Sequence, residues 1–317
     1  MSHGHRAAPG HRGRASQRTY VVRRVVVGAC LLAVGVGAFT IFTSVFGGDD
    51  GGEVAAVEPV INTVVSDGNP TTLAPTTLPA TTTTLPPVKE IVAPSAADPA
   101  EVLILGDSDA GTFGPYLETL LDATGVVATK LDYKVSSGLS RPDFFDWPAH
   151  MREVVPQINP DIVIATFGGN DAQGLRNLDE SWAVEREPSA DDTEWRAEYG
   201  RRVGDAMDYL SDGNRTLIWV GIPNDDNPEV TARLQVQDEV VRAEAAKRPK
   251  VVFIDTWKRF SGRNGGWAEF VVDPRDGAGK DVRADDGFHL NQNGAEILAI
   301  DIAEAVKTDL RARGAKI

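Results

Sequence analysis

The stretch Val102–Gly111, VLILGDSDAG, places Ser108 between two aspartates directly after an apolar run. The run predicts a buried strand, and Gly, Asp and Ser are ordinary residues of turns and helix N-caps. Ser108 is therefore either a nucleophile at the end of a strand or a hydroxyl that caps a helix. Residues elsewhere in the chain have to decide between these two roles.

Short apolar segments alternate with longer amphipathic segments from about residue 98 onward. The predicted strands are EVLIL (101–105), VVATKLDYK (126–134), DIVIATF (161–167), RTLIWVGI (215–222) and KVVFID (250–255), and the predicted helices lie near 113–124, 148–157, 195–211, 229–247 and 291–312. This alternation is typical of parallel βαβ units, in which helices cover both faces of the sheet. We therefore predict an α/β fold, a three-layer α/β/α sandwich with a parallel sheet.

The N-terminal part of the chain begins with two segments of opposite character. Residues 1–24 hold six arginines and no acidic residue, whereas residues 25–46 carry no charge at all. The uncharged run is long enough, at about 1.5 Å per residue, to cross the roughly 30 Å hydrocarbon core of a bilayer. Positive charge before it predicts a cytoplasmic N-terminus and an extracytoplasmic remainder at the cell membrane. We expect an uncleaved single-pass anchor, because a signal peptide has a shorter apolar region and a small-residue cleavage site.

Residues 47–97 form a third segment, rich in Gly, Asp, Thr and Pro. Such a composition buries too little apolar surface to fold, and its prolines favour extended polyproline II structure. We expect a disordered linker that holds a folded domain, residues 98–317, away from the membrane. Cys30 is the only cysteine of the chain, so the exported part can form no disulfide.

The composition also argues against several classes of function. The chain has 46 acidic and 32 basic residues, and no basic cluster follows the N-terminal tail, so no nucleic-acid partner is expected. Two histidines in the predicted domain and the absence of an H-E-x-x-H motif leave few metal ligands. No phosphate-binding G-x-x-x-x-G-K-[ST] motif occurs. We therefore expect neither a metal nor a cofactor.

A nucleophilic serine needs a base, usually a histidine, and the predicted domain contains His150 and His289. His150 has no acidic residue obviously placed to orient it, so we assign it a structural role. His289 follows Asp286 by three residues, and a loop turning at Gly287 can bring the Asp286 carboxylate onto Nδ1, so that Nε2 faces the serine. The spacing alone leaves open that Asp286 is a turn residue and His289 a helix-start residue.

Three groups after predicted strands are candidate donors to an oxyanion. They are the backbone N–H of Ser108, that of Gly138 in SSGLS, and the side-chain amide of Asn170 in GGND. Ligands of open parallel sheets bind at the carboxyl ends of the strands, where an oxyanion hole would have to form. By itself, GGND is only a turn signal.

Taken together, GDS, SSGLS, GGND and DGFH resemble the four sequence blocks of the SGNH (GDSL-like) hydrolase family, in the family's order. The resemblance covers about residues 100–312, and SSGLSRPDFFDWP (136–148) is similar to a motif of an exported bacterial subgroup. It implies a flavodoxin-like five-stranded sheet. It also implies a catalytic triad of Ser108, His289 and Asp286, with an oxyanion hole formed by Ser108, Gly138 and Asn170.

Three aspartates next to these motifs bear on how far the family's properties apply to this chain. Asp109 follows the serine, where esterases of the family often have an apolar residue. A carboxylate there can disfavour anionic substrates or raise the pKa of His289, or it can simply cap a helix. Asp107 and Asp171 resemble framework residues that hold their loops, and Asp171 can shape the site as well. The α/β-hydrolase plan is disfavoured because GDSDA lacks the second glycine of G-x-S-x-G.

These expectations combine into a membrane-anchored serine esterase that acts outside the cell on acyl esters, in particular acetyl esters, of envelope glycans or lipids. Polar insertions at 178–195 and 261–286 can shape specificity, and Trp182 and Trp267 either stack on sugar rings or serve the fold. Two alternatives stay open. The domain can be an O-acyltransferase that works with a separate membrane acyltransferase partner, or a non-catalytic module that binds the envelope.

Overall fold

The computed structural model describes residues 89–317 of the 317-residue chain. The predicted tail, membrane anchor and most of the linker lie outside the described residues. Within 89–317, no helix is both long and apolar enough to cross a bilayer.

The described residues form nine strands and six helices. The strands are β1 (Ala100–Gly106), β2 (Val127–Tyr133), β3 (Ile162–Thr166), β4 (Leu175–Arg176), β5 (Trp182–Val184), β6 (Thr216–Val220), β7 (Val251–Ile254), β8 (Phe270–Val272) and β9 (Gly279–Asp281). The helices are α1 (Ser108–Asp122), α2 (Trp147–Ile158), α3 (Thr193–Leu210), α4 (Pro228–Ala246), α5 (Thr256–Arg259) and α6 (Gln292–Ala312).

Five strands form one parallel sheet in the order β2-β1-β3-β6-β7, as the sequence predicts. Side chains alternate along β1, so Val102 and Ile104 face α1 and α6, while Leu103 and Leu105 face α2, α3 and α4. The three-layer α/β/α prediction is therefore confirmed. The order reverses on either side of β1, and the crevice at such a switch point is where ligands of this sheet type bind.

Helix α1 begins at Ser108, five residues before the predicted start near 113. Gly111 and Gly114, which favour a turn in the sequence, lie inside the helix. A Cβ atom at these positions would come within 2.5 Å of the Tyr133 ring and 2.7 Å of the Leu131 side chain. The glycines therefore allow α1 to pack closely against β2, and this tertiary contact outweighs their low helix propensity.

The two polar insertions contain short elements that the sequence did not predict. Strand β5 lies in the first insertion and pairs with β4, which precedes it, and α5, β8 and β9 lie in or next to the second. Each strand has only two or three residues, too few to show a period-two pattern.

The start of the described chain lies at the sheet edge opposite the carboxyl ends of the strands. Lys89 Nζ lies 2.8 Å from Asp161, which directly precedes β3, and also donates to the carbonyl of Asn159. This contact leaves the carboxyl edge, where the predicted site lies, uncovered by residues 89–91.

Candidate active site

Ser108 lies at the carboxyl end of β1 because a tight turn joins that strand to α1. Gly106 has φ +155°, and a Cβ there would lie 2.2 Å from the carbonyl oxygen of Thr166 on β3. Asp107 caps α1 by accepting the N–H of Asp109 at 3.0 Å. Ser108 is therefore the first residue of the helix. There the backbone N–H groups have no partner within the helix and form the positive end of its dipole.

The structure brings Ser108, His289 and Asp286 into one hydrogen-bonded series. Ser108 Oγ lies 2.9 Å from His289 Nε2, and His289 Nδ1 lies 2.6 Å from Asp286 Oδ2. The other carboxylate oxygen, Oδ1, accepts the N–H groups of Phe288 and His289 at 3.1 and 3.0 Å. Because an ionised carboxylate only accepts, Nδ1 is the donor, and Nε2 of the neutral imidazole is left to accept the Ser108 hydroxyl.

Contacts from other elements fix the loop that carries Asp286 and His289. Gly287 has φ +86°, and its carbonyl accepts the indole N–H of Trp267 at 2.8 Å. Arg283 is 5% exposed and donates to the carbonyls of Asn224, Phe260 and Phe288. The structure thus gives Trp267 a positioning contact, and it identifies Arg283 as a support of this loop that no sequence motif indicates.

The charges around His289 favour its protonated form. The hydrogen bond to Asp286 is the largest cause that raises the pKa of His289 to about 9; burial lowers this pKa, and the charge of Asp109 adds to the rise. The hydrogen bond from His289 lowers the pKa of Asp286 to about 2. The histidine therefore gains its lone pair on Nε2 only as the pH approaches 9.

Asp109 is not the helix cap, because Asp107 takes that role. As the second residue of α1, Asp109 points its carboxyl inward and is 7% exposed. Burial raises its pKa to about 6, and its Oδ2 atom has no hydrogen-bond partner among the described residues. The alternative that the sequence offered for this residue, a capping carboxylate, is therefore wrong.

Asp107 and Asp171 occupy framework positions, each joining two loops. Asp107 also accepts the N–H groups of Gly168 and Gly169 at 3.1 and 3.2 Å, which ties the loop after β3 to the nucleophile turn. Asp171 accepts the N–H groups of Leu139 and Ser140, the two residues that follow Gly138, and the Tyr199 hydroxyl. Burial raises the pKa of both carboxyls.

The segment 136–148 folds back on itself and presents Gly138. The indole N–H of Trp147 donates to Ser137 Oγ at 2.8 Å, and the Ser137 carbonyl accepts from Asn170 Nδ2 at 3.1 Å. That bond uses one of the two N–H groups of the Asn170 amide and leaves the other available. None of the loop and cap hydrogen bonds between described residues uses the N–H of Ser108 or of Gly138. These three donors thus belong to loops that the Asp107 and Asp171 contacts hold together.

Substituting Gly138 with alanine should destabilise the folded domain. A Cβ at this position would lie 1.9 Å from Asp171 Oδ1, and Asp171 is held by three hydrogen bonds, so it cannot move without breaking them. We expect Gly138→Ala to lower the free energy of unfolding by about 1–3 kcal/mol, as overpacking does elsewhere. Denaturant unfolding measures this change. The control is Gly279→Ala, where a Cβ meets nothing within 4 Å, and equal stability of the two variants would contradict the clash.

The second histidine of the domain, His150, lies away from the triad and contacts an acidic residue. Its Nε2 atom is 2.9 Å from Asp132 Oδ2, and its ring packs edge-on to Phe145 and Trp147. The expectation that no acidic residue orients His150 is therefore wrong. The sequence could not show this, because Asp132 belongs to a strand 18 residues earlier.

Trp182 stacks on the Arg176 guanidinium at 3.6 Å. Within 89–317, no group of three or more His, Cys, Asp or Glu side chains is placed to hold a metal ion.

The chain is similar to several solved structures and to one family model. A lipase/acylhydrolase from Enterococcus faecalis is 19% identical, with a TM-score of 0.47 over 66% of this chain and 96% of that one. The catalytic domain of a peptidoglycan O-acetyltransferase from Streptococcus pneumoniae is 18% identical, with a TM-score of 0.41 over 66% and 94%. No curated protein matches. The family model described as "Protein of unknown function (DUF459)" matches residues 101–305, and the chain therefore belongs to this family.

Proposed function

We propose that the protein is an SGNH-type serine hydrolase that cleaves carboxylic esters through an acyl-serine. The observation that carries this proposal is the series Ser108–His289–Asp286, whose hydroxyl–imidazole–carboxylate contacts of 2.9 and 2.6 Å stand at the carboxyl edge of a parallel sheet. A nucleophile, a base and a group that orients the base are the three parts that activate a serine.

Each part has a defined task in the proposed reaction. His289 Nε2 takes the Ser108 proton as Oγ attacks the ester carbonyl, and Asp286 holds the imidazole and stabilises the imidazolium. The oxyanion accepts from the N–H groups of Ser108 and Gly138 and from the Asn170 amide. Collapse of the tetrahedral intermediate sends the proton from His289 to the leaving alcohol. Water, deprotonated by the same histidine, then attacks the acyl carbonyl; the bond between that carbon and Ser108 Oγ breaks, the acid leaves, and His289 returns the proton to Oγ.

Ester hydrolysis should rise with pH up to about 9, because His289 acts as base only without its proton and its pKa is raised to about 9. Below that value we expect kcat/KM to fall about tenfold for each pH unit, in proportion to the neutral fraction of the imidazole. A pH profile of p-nitrophenyl acetate hydrolysis, corrected for the uncatalysed rate, measures this limb. A profile that is flat between pH 6 and 9 would contradict the assigned base.

The proposed function is tested by pre-steady-state kinetics of the full-length chain. An acyl-serine predicts a rapid burst of p-nitrophenol, up to one per protein molecule, when deacylation is slower than acylation. Hydrolysis with such a burst supports the mechanism. No turnover of short-chain esters at pH 9, with the fold intact by circular dichroism, would overturn it.

We further propose that the enzyme works outside the membrane on acetyl esters of envelope glycans. The support is the sequence pattern of a basic tail, an apolar run and a Thr/Pro-rich segment before the domain. Acetate release from O-acetylated envelope polysaccharide, compared with acetyl transfer to an added glycan, tests this proposal and separates hydrolysis from transfer.

A further inference from the structure

A small cavity next to the start of α1 is lined by three residues whose buried side-chain oxygen atoms have no hydrogen-bond partner among the described residues. These atoms are Asp109 Oδ2, Thr166 Oγ1 and Thr256 Oγ1. Asp109 is 7% exposed, and both threonines are fully buried. Three unpartnered oxygens around one space are unusual, since the large majority of buried side-chain polar atoms in proteins have a hydrogen-bond partner.

The cavity suits one water molecule. Its volume is about 10 Å³, near the lower limit for a single water, and such a water needs two to four polar partners. The hydroxyls of Thr166 and Thr256 can each donate or accept, while an ionised Asp109 only accepts. A water there can donate to the carboxylate and still bond to both hydroxyls. The apolar part of the lining comes from Phe113, Val220, Leu290 and Leu298.

Asp109 also lies close to the residues of the triad. A Cβ built on Gly169 would be 3.3 Å from Asp109 Oδ2 and 3.0 Å from the Phe288 ring, and that ring packs edge-on to His289 at 5.1 Å. The charged groups that act on His289 are Asp286 on its own loop and Asp107 and Asp109 at the start of α1. The charged groups that interact with Asp109 are His289, Asp286, Arg283 and the nearby Asp107. Arg283 also interacts with the charges of Asp225 and Asp226.

We propose that Asp109 is a second charge partner of His289, and that one buried water, held by Thr166 and Thr256, keeps its carboxylate ionised. Asp286 sets the tautomer of the imidazole, and Asp109 sets how strongly the protonated imidazole is favoured. Asp109 is thus a positioning residue that acts on the reaction only through His289. This inference rests on the proposed hydrolase function.

The negative charge of an ionised Asp109 has two opposite effects on the reaction. It delays the action of His289 as a base to higher pH, because a nearby negative charge stabilises the imidazolium. It favours the imidazolium once the serine proton has been taken, and this form delivers the proton to the leaving alcohol. An ionised Asp109 therefore matches an enzyme whose working pH lies on the alkaline side.

The test follows the protonation of His289 in the full-length protein by NMR, which does not depend on any substrate. We expect Asp109→Asn to lower the midpoint of the His289 titration by about one pH unit or more, the size of shift that a neighbouring charge produces. If the protein hydrolyses esters, the ascending limb of its pH profile should move by the same amount. Thr256→Val should move the midpoint in the same direction by less, because the carboxylate then loses part of its support.

Asp122→Asn is the matched control, since it removes the same charge at the exposed far end of α1 and should leave the midpoint unchanged. An unchanged midpoint in both Asp109→Asn and Thr256→Val would overturn the inference, even if the protein proves to be an esterase. A shifted midpoint in a protein without esterase activity would keep the inference about charge and reject the proposed function. In a high-resolution crystal structure we expect one water molecule hydrogen-bonded to Asp109 Oδ2, Thr166 Oγ1 and Thr256 Oγ1. A cavity without a water molecule would overturn this part of the inference.

Discussion

Replacing Ser108 with alanine should abolish ester hydrolysis and leave the fold unchanged. Within residues 89–317, the only hydrogen bond of the Ser108 hydroxyl is with His289 Nε2. Removal of Oγ therefore deletes the attacking atom and little else. Loss of a nucleophile of this type costs roughly 10⁴- to 10⁶-fold in kcat, which leaves only the contribution of the oxyanion donors and of binding.

Steady-state kinetics with p-nitrophenyl acetate at pH 9 measures this loss, together with thermal unfolding of the same samples. Ser189→Ala is the matched control, because Ser189 is exposed and its hydroxyl makes no hydrogen bond in the described part of the chain. We expect the stability of both variants to remain within about 0.5 kcal/mol of the parent protein. A Ser108→Ala protein that keeps a tenth of the parent activity would contradict the assignment of the nucleophile.

Replacing Asp286 with asparagine should lower kcat by roughly 10³- to 10⁴-fold. The asparagine loses the negative charge that stabilises the imidazolium, and its amide can present N–H to Nδ1 in place of an acceptor. The imidazole can then turn its lone pair to Nδ1 and place N–H at Nε2, where it cannot accept the Ser108 proton. Because the 2.6 Å contact with Asp286 raises the pKa of His289, we also expect the pH profile to move to lower pH.

The adjacent Asp285 provides a control that changes the same charge in the same loop. Asp285 is exposed, and no side-chain hydrogen bond from it to His289 occurs in the described structure. Asp285→Asn should therefore keep kcat within about twofold, since surface substitutions away from such contacts cost little. Equal losses in the two variants would show that the loop needs negative charge in general, not an orienting carboxylate at Asp286.

The sheet could be predicted because four of its strands are apolar runs between turn residues and the edge strand β2 alternates apolar and polar residues, and both patterns depend on local sequence. The start of α1 could not, since Gly111 and Gly114 favour a turn unless their close packing against β2 is known. The short strands β4, β5, β8 and β9 carry too little sequence to form a pattern.

In the candidate site, too, the features carried by local motifs could be predicted, and those that depend on distant residues could not. The candidate residues stand in short motifs directly after predicted strands or before a predicted helix, so the topology places them at one edge of the sheet. Their roles came from the resemblance to the SGNH family; the residues are Ser108, Gly138, Asn170, Asp286 and His289. Arg283 and the Asp132–His150 pair were missed because their partners are distant in sequence. The inward direction of the Asp109 carboxyl depends on the exact start of α1, which the sequence misplaces by five residues.

Covalent labelling of the nucleophile tests the central claim most directly. A fluorophosphonate reacts with an activated serine and mimics the tetrahedral intermediate, so it reports Ser108, His289 and the oxyanion donors together. The full-length protein at pH 9 should gain the mass of one phosphonyl group, and peptide mapping should place it on Ser108, with no adduct in Ser108→Ala. Absence of labelling in the folded parent protein, or an adduct that persists in Ser108→Ala, would contradict the assignment of this chain as a serine hydrolase.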